Sequence, residues 1–163
     1  MSQKIKVLSV GHSYVVAMNR AILRELSQDP EFEITIAAPS LFKGSLRTIE
    51  IEPEPEGSKV HLVPLRAHMT GKMHIFAYDH FDLRKLFKNK FDCAHFWEEP
   101  YIFAGYQLGR MAHKNKTPFL FRTAQSLIKK YVMPFRYFEK KTLSSSQRWI
   151  AGGHLVYQAM LDK

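Results

Sequence analysis

Short apolar runs alternate with amphipathic stretches along most of this chain. Six runs are rich in β-branched, aromatic or small apolar residues and are typical of buried strands. They span residues 5–11, 32–38, 60–63, 91–97, 117–123 and 149–151. A further run, residues 47–52, alternates apolar and polar positions and predicts a half-exposed strand at a sheet edge.

Helices are predicted between these runs. Val15, Met18, Ile22 and Leu26 recur at helical spacing, and Ser13 is the expected N-cap of that helix. Residues 64–79 have no clear period and are predicted to be a loop. Later helices are expected around residues 81–87, 101–113, 135–143 and 155–161. Gly105 and Gly109 would let the second of these approach the sheet closely.

The order of these elements defines the expected fold class. A strand, a helix and a second strand follow one another within about forty residues, which is typical of a parallel βαβ unit. A second such unit is visible from residue 91 onward. The sequence therefore predicts an α/β fold, a Rossmann-like three-layer sandwich with a mostly parallel sheet. Residues 1–163 are expected to form one domain.

Composition agrees with one folded domain and locates its charge. The chain has 163 residues, of which 45% are hydrophobic, enough for a single core and too many for a disordered chain. The formal net charge is +9, but residues 1–82 carry −1 and residues 83–163 carry +10. The second half is thus expected to meet an anion, either nucleic acid, an anionic membrane leaflet or a phosphate-bearing substrate. The alternative is a basic solvated surface without a partner.

Several kinds of chemistry are disfavoured by the residues present. The single cysteine, Cys93, cannot form an intramolecular disulfide and lies in an apolar strand, where an inert thiol is expected. The eight histidines form no zinc-binding pattern, so no metal site is predicted. No signal peptide or membrane-spanning run is evident, and a cytoplasmic location is expected, with peripheral attachment to the inner face of the membrane left open.

Candidate site residues follow the predicted strands, because ligands of open parallel sheets bind outside the carboxyl ends of the strands. They are Gly11, His12, Glu98, Glu99, Arg122 and Gln125. Gly11 either lets a phosphate or sugar approach backbone N–H groups or makes a tight turn. The chain lacks the glycine spacing of a dinucleotide-binding fingerprint, since Ser13 and Val16 occupy the other two positions.

The remaining candidates also have two interpretations each. Glu98 and Glu99 are adjacent and should point apart, so they are a poor acid/base pair. One of them could bind sugar hydroxyls, or both could simply favour the start of a helix. Arg122 is expected either to clamp an anion or to have a local partner.

A basic surface is predicted in the second half of the chain. It consists of Lys129, Lys130, Arg136, Lys140 and Lys141, interleaved with aromatic residues. Such a segment could lie on an anionic membrane, or it could be a solvated face over core aromatics. Nucleic acid is not expected as a partner, because no recognition-module signature accompanies these residues.

Several strings resemble the N-terminal domain of the family 4 (group 1) glycosyltransferases, which have the GT-B fold. They are Lys-Val-Leu-Ser-Val-Gly at 6–11, Phe-Asp-Cys-Ala-His at 91–95, and Thr-Pro-Phe-Leu-Phe-Arg-Thr at 117–123. The stretches at 135–139 and 149–153 resemble the region that closes that domain. The resemblance covers nearly the whole chain.

The resemblance implies an acceptor-binding domain of a retaining enzyme that transfers a sugar from a nucleotide-sugar donor. A second domain, outside these residues, would bind the donor, so this domain alone would bind a sugar or lipid-linked acceptor and be inactive. No catalytic residue and no cofactor are assigned to it. The chain departs from the family at Trp97-Glu98-Glu99-Pro100 and at Gln125, where many members have histidine. The alternative is a non-enzymatic α/β module for an anionic partner, whereas a nucleotide-dependent oxidoreductase is disfavoured.

Overall fold

The computed structural model describes residues 4–44 and 47–163. Ten strands lie within this part of the chain. They are β1 (Ile5–Val10), β2 (Phe32–Pro39), β3 (Leu41–Lys43), β4 (Thr48–Glu50), β5 (His61–Leu65), β6 (Ala67–His68), β7 (Ala77–Tyr78), β8 (Cys93–Phe96), β9 (Phe119–Thr123) and β10 (Arg148–Ala151). The α-helices are α1 (Ala21–Leu26), α2 (His80–Leu86), α3 (Phe103–Lys114), α4 (Phe135–Ser145) and α5 (His154–Leu161).

A six-stranded parallel sheet, in the order β5-β2-β1-β8-β9-β10, is the centre of the molecule. The chain moves outward from β1 to β5, returns to the middle, and then moves outward again from β8 to β10. Because parallel crossovers are right-handed, this reversal places α1 on one face of the sheet and α3 and α4 on the other. The chain is therefore a Rossmann-like α/β domain, and the predicted fold class is confirmed.

The six runs predicted as buried strands are the six strands of this sheet. β1 and β2 are apolar on both faces, as expected for strands covered on both sides. Leu8, Val10 and Ile36 are fully buried at their centre, and Phe96 and Phe121 continue the core under α3. All six strands end at the same edge, which places the polar residues after them close together.

The helix predicted from Val15 to Leu26 is largely wrong. Residues 12–20 form two short 3₁₀ turns, and only Ala21–Leu26 is α-helical. Ser13 is no N-cap, because the first turn begins at Gly11 and makes no side-chain cap. Val15 of the expected apolar face is buried, but Met18 is 76% and Ile22 74% exposed.

Arg20 explains why Met18 and Ile22 face the solvent. Its side chain is fully buried, pairs with the carboxylate of Glu54 and donates to the Tyr14 carbonyl. It also donates to the carbonyls of Glu52 at 2.7 Å and Pro53 at 3.1 Å. Charge-assisted hydrogen bonds from all three nitrogens of this guanidinium hold it in the interior. They outweigh the apolar periodicity and determine the orientation of the segment.

Two further expectations need correction. The strand predicted at 47–52 is β4, and it pairs antiparallel with β3 in a separate hairpin, not at the edge of the main sheet. The loop predicted at 64–79 contains a second small hairpin, made by β6 and β7. Within α3, a Cβ on Gly109 would lie 3.3 Å from the ring of Phe119 in β9, so the expected close approach to the sheet is present.

Candidate functional site

The turn after β1 lies at the point where the strand order reverses, between the carboxyl ends of β1 and β8. We call this place the switch-point crevice, and it is lined by Gly11, His12, Trp97 and Glu98. Open α/β sheets bind their ligands at this position because the loops after the two central strands diverge there. Four of the six candidate residues follow these two strands.

Gly11 makes room for Trp97. A Cβ on Gly11 would lie 3.0 Å from the Trp97 Cβ and 3.1 Å from the Trp97 carbonyl oxygen. Its N–H donates to the Ala37 carbonyl at 3.2 Å, so this donor is already engaged within the protein. This close packing against Trp97 is neither of the two interpretations of Gly11, which were a phosphate or sugar contact and a tight turn.

His12 and Glu98 form a hydrogen-bonded pair across the crevice. Glu98 is buried and accepts from the His12 backbone N–H at 2.6 Å through Oε1, while its Oε2 lies 2.7 Å from His12 Nδ1. Tyr78 Oη donates to Glu98 Oε1 at 2.6 Å. The His12 side chain is 23% exposed, and its Nε2 has Ser13 Oγ at 3.5 Å. Nδ1 of the ring is thus engaged by Glu98, whereas Nε2 has only the distant Ser13 hydroxyl as a partner in the described residues.

The charge of Glu98 governs the protonation of its neighbours. Burial opposes a charged imidazole, but the Glu98 charge, its hydrogen bond and the nearby Glu99 together raise the pKa of His12 above its ordinary value. Burial and the same carboxylate raise the pKa of Tyr78 well above its usual range, so Tyr78 stays a hydrogen-bond donor. The arrangement is a charged carboxylate that holds a neutral phenol and a basic imidazole.

Glu99 points away from Glu98, as predicted for adjacent residues. It accepts from Thr123 Oγ1 at 2.6 Å and from the Ala124 N–H at 2.7 Å. Its side chain therefore ties the loop after β8 to the loop after β9. Gly105 supports the same loop, because a Cβ there would lie 2.4 Å from the Glu99 carbonyl oxygen.

A second polar cluster lies beneath the crevice, inside the sheet. Ser9 in β1 is in register with His95 in β8, and Ser9 Oγ lies 2.8 Å from His95 Nδ1. Tyr14 Oη lies 2.9 Å from the same Ser9 oxygen. His95 Nε2 is buried and has no hydrogen-bond partner in the described residues. Burial, together with the nearby positive charge of Arg122, lowers the pKa of His95 to about 4, so this histidine is neutral.

Arg122 and Gln125 lie on the other side of Trp97. The guanidinium carbon of Arg122 is 4.1 Å from the centroid of the Trp97 ring, which is cation–π distance. Arg122 thus has a local partner, as one of its two interpretations expected. Gln125 donates to the Leu127 carbonyl at 2.9 Å and accepts from Lys163 at 2.8 Å. Neither side chain reaches His12.

The predicted basic surface is only partly a helix face. Lys129 and Lys130 are exposed in the loop before α4, Arg136 and Lys140 are exposed one turn apart on α4, and Lys141 is exposed beside the cavity between α3 and α4. Phe138 of the same helix turns inward and stacks on Tyr106 at 4.8 Å. Within residues 4–44 and 47–163, no ion pair includes any of these five cations.

Two cavities lie away from the switch-point crevice. One of about 810 Å³ lies between α3 and α4, and one of about 580 Å³ lies beside β10 and α5. Neither of these two cavities is lined by a candidate crevice residue. In the described ranges, no group of three or more acidic, histidine or cysteine side chains could hold a metal ion. None of the described helices is both long and apolar enough to cross a bilayer.

Comparisons with known proteins give a distant likeness in fold only. No protein-family model matches the chain, and no curated protein matches it. Among solved structures, ADP-L-glycero-D-manno-heptose-6-epimerase of Helicobacter pylori aligns with a TM-score of 0.46 and 11% identity. The alignment covers 87% of this chain and 49% of the epimerase, so the chain spans about half of that protein's length. The Rossmann-like class of this chain rests on its own strand order and parallel pairing.

Sequence reasoning missed the partners of the candidate residues. Tyr78 lies in the segment predicted to be a loop, and Ser9 and His95 lie inside strands, where they were counted with the core. One signal was available in the sequence. Polar residues in the middle of otherwise apolar strands need a buried partner, and Ser9 and His95 are such residues in neighbouring strands.

Proposed function

We propose that this chain is the acceptor-binding domain of an enzyme that transfers a sugar from a nucleotide-sugar donor to an acceptor hydroxyl. The donor would be bound by a second domain outside these residues. The fold and the motifs that resemble family 4 glycosyltransferases support the proposal. The observation that carries it is the pairing of His12 with Glu98 in the switch-point crevice.

The pair suits a hydroxyl ligand. Donation from His12 Nδ1 to Glu98 leaves a lone pair on Nε2, on a side chain that is 23% exposed. This nitrogen can accept a hydrogen bond from a sugar hydroxyl and, because Glu98 stabilises the imidazolium, can also accept its proton. Glu98 would then act as a positioning residue for His12, without touching the ligand.

The same pair does not suit a diphosphate. In Rossmann-like folds, the backbone N–H groups of the turn after the first strand commonly bind phosphate oxygens. Here the N–H groups of Gly11 and His12 already donate to a carbonyl and to the Glu98 carboxylate. A buried negative charge at this turn would repel a second anion. This supports an acceptor site at the crevice and a donor site elsewhere.

The test uses the full protein that contains this chain. Release of nucleoside diphosphate is measured with a panel of nucleotide sugars and hydroxyl acceptors. We expect His12→Gln to raise the KM for the acceptor at least tenfold while hydrolysis of the donor without acceptor is unchanged. His113→Gln, an exposed histidine at the far end of α3, is the matched control and should have no effect. Absence of nucleoside diphosphate release with every donor would overturn the proposal.

The second candidate function is a non-enzymatic module that binds an anionic partner. It is favoured by the uneven charge, since residues 83–163 carry +10. NMR titration of the chain separates the two functions. Methyl glycosides should shift the His12 ring signals if the crevice binds an acceptor, whereas polyanions alone should shift signals of the basic half if the chain is only a binding module.

A further inference from the structure

The loop before α4 has an unusual surface. Four large apolar side chains between β9 and α4 are exposed to solvent. They are Leu127 at 65%, Ile128 at 58%, Val132 at 72% and Met133 at 69% exposed. Lys129 and Lys130 lie between the two apolar pairs. Burying four such side chains would release a large apolar area from water, so this loop is a binding surface without a partner in the described residues.

One inward-pointing residue explains how these side chains are presented. The Tyr131 ring stacks on Tyr101, with 4.2 Å between the ring centroids and 16° between the planes. Tyr101 lies just before α3, so the stack fastens the centre of the loop to the body of the domain. At the start of the loop, Gln125 donates to the Leu127 carbonyl. The apolar residues on both sides of Tyr131 are therefore directed away from the core.

We propose that this loop, residues 127–133, inserts into the surface of an anionic lipid bilayer while the adjoining basic surface binds the lipid headgroups. The inference does not depend on the proposed sugar transfer. Its basis is the combination of protruding apolar side chains with five cations that have no ion-pair partner among the described residues.

The combination of cations and apolar side chains favours a bilayer over a protein partner. Arg136 and Lys140 are one helical turn apart on the outer side of α4, and Lys129 and Lys130 precede them. Cations beside apolar side chains are the composition of interfacial membrane segments, in which the apolar groups enter the acyl boundary and the cations remain at the headgroups.

The test is co-sedimentation of the full chain with vesicles. One set is an equal mixture of phosphatidylcholine and phosphatidylglycerol, and the other is phosphatidylcholine alone. We expect binding to the anionic set at about 0.1 M salt and much weaker binding at about 1 M, where charges are screened within about 3 Å. Glycerophosphoglycerol, the soluble headgroup, should compete poorly because it offers no apolar layer.

Two variants separate the two parts of the surface. The charge variant replaces Lys129, Lys130, Arg136, Lys140 and Lys141 by Gln, and each change should weaken binding to the anionic set by about fivefold. The loop variant replaces Leu127, Ile128, Val132 and Met133 by Ser, and it should remove the binding that persists at high salt. Leu127→Trp should show a blue-shifted emission with vesicles, and brominated lipid should quench it.

Matched controls are available on the same molecule. Met18→Ser with Ile22→Ser removes two equally exposed apolar side chains elsewhere, and Lys88→Gln with Lys90→Gln removes two exposed cations outside the surface. Both control variants should bind vesicles like the wild type. The proposal is overturned if the wild type fails to bind anionic vesicles at low salt, if the controls lose binding equally, or if the loop instead mediates a concentration-dependent dimer.

Discussion

Two histidines on neighbouring strands show how one partner decides the chemistry of a buried imidazole. His12 and His95 are both mostly buried, and they follow or lie in the two central strands of the sheet. His12 pairs with the Glu98 carboxylate, and its pKa is raised. His95 pairs with the hydroxyl of Ser9, and its pKa falls to about 4. Burial lowers the pKa of both, so the difference comes from nearby charges, which are the carboxylates of Glu98 and Glu99 at His12 and the Arg122 guanidinium at His95.

The difference also separates a reactive position from a structural one. The His12 side chain is 23% exposed, and under the proposed function its second nitrogen would exchange a proton with a ligand. His95 has its second nitrogen sealed in the sheet, without a partner in the described residues. The His12–Glu98 pair is thus partly exposed to solvent, whereas the second nitrogen of His95 in the Ser9–His95 cluster is buried.

Removal of Glu98 should have the largest effect. Glu98→Ala leaves the His12 N–H and Tyr78 Oη without an acceptor in a buried place, which should destabilise the fold by about 3 to 5 kcal/mol in urea unfolding. Glu99→Ala, the adjacent control in a less buried place, should cost about 1 kcal/mol. Glu98→Gln keeps the shape, and NMR titration should then find the pKa of His12 below its ordinary value, like that of His95. An unchanged pKa of His12 in Glu98→Gln would contradict the conclusion that the Glu98 charge raises it.

The next largest effect should be a loss of stability at acid pH, caused by protonation of His95. Because the pKa of His95 is about 4 in the folded chain and 6.5 without burial, the unfolded state binds more protons between these values. Stability should therefore fall by up to about 3 kcal/mol as the pH drops from 6.5 to 4. His95→Asn, which cannot titrate here, should lose this part of the slope in urea unfolding measured at several pH values. A slope that persists unchanged in this variant would assign it to other groups.

The contribution of His12 to stability should depend on pH in the opposite direction. A raised pKa adds stability that is complete below the pKa of the unfolded state and disappears as the pH rises through the folded value. The cost of Glu98→Gln should accordingly be larger at pH 5.5 than at pH 9.

A methyl group at the turn should disturb both clusters. Gly11→Ala would place its Cβ 3.0 Å from the Trp97 Cβ and 3.2 Å from the Tyr14 ring, and backbone and ring would have to move. We expect a loss of about 1 to 3 kcal/mol by thermal or urea unfolding. Gly153→Ala is the control, because a Cβ there has no neighbour within 4 Å and its backbone is extended. Equal losses in the two variants would contradict the role given to Gly11.

The smallest difference should come from two matched tyrosines. Tyr78→Phe removes a hydrogen bond to the Glu98 carboxylate, and Tyr14→Phe removes one to the neutral Ser9 hydroxyl. Hydrogen bonds to charged groups are the stronger ones, so we expect losses of about 2 and about 1 kcal/mol, respectively. Urea unfolding of both variants at one pH measures the difference. A larger loss of stability for Tyr14→Phe than for Tyr78→Phe would contradict the assignment of the charged acceptor to Tyr78.

Much of the fold was predictable because its strands are local apolar runs. β1, β2 and β9 combine length, branched or aromatic residues and turn signals, which distinguish buried strands from helices. The segment at residues 12–26 was not predictable in the same way. Its conformation is determined by Arg20, whose partners lie more than thirty residues further along the chain at Glu52, Pro53 and Glu54.

The site was predictable as a set of residues and not as a set of pairs. The rule that ligands bind after parallel strands identified His12 and Glu98 separately. Their pairing depends on the insertion of β8 beside β1, across 86 residues of sequence. Tyr78 enters through a two-residue strand in a segment without periodicity, and no local pattern announces such an element.

The insertion of β8 beside β1 also sets the order in which a ribosome can complete this domain. β1, β2 and β5 can pair as soon as they are synthesised, but one edge of β1 stays open until residues 93–96 arrive. That edge presents unpaired backbone N–H and C=O groups, which can pair with another nascent chain and start aggregation. Slow translation or cold would lengthen this exposure. Chaperones would therefore have to protect β1 until β8 pairs with it and His12 contacts Glu98.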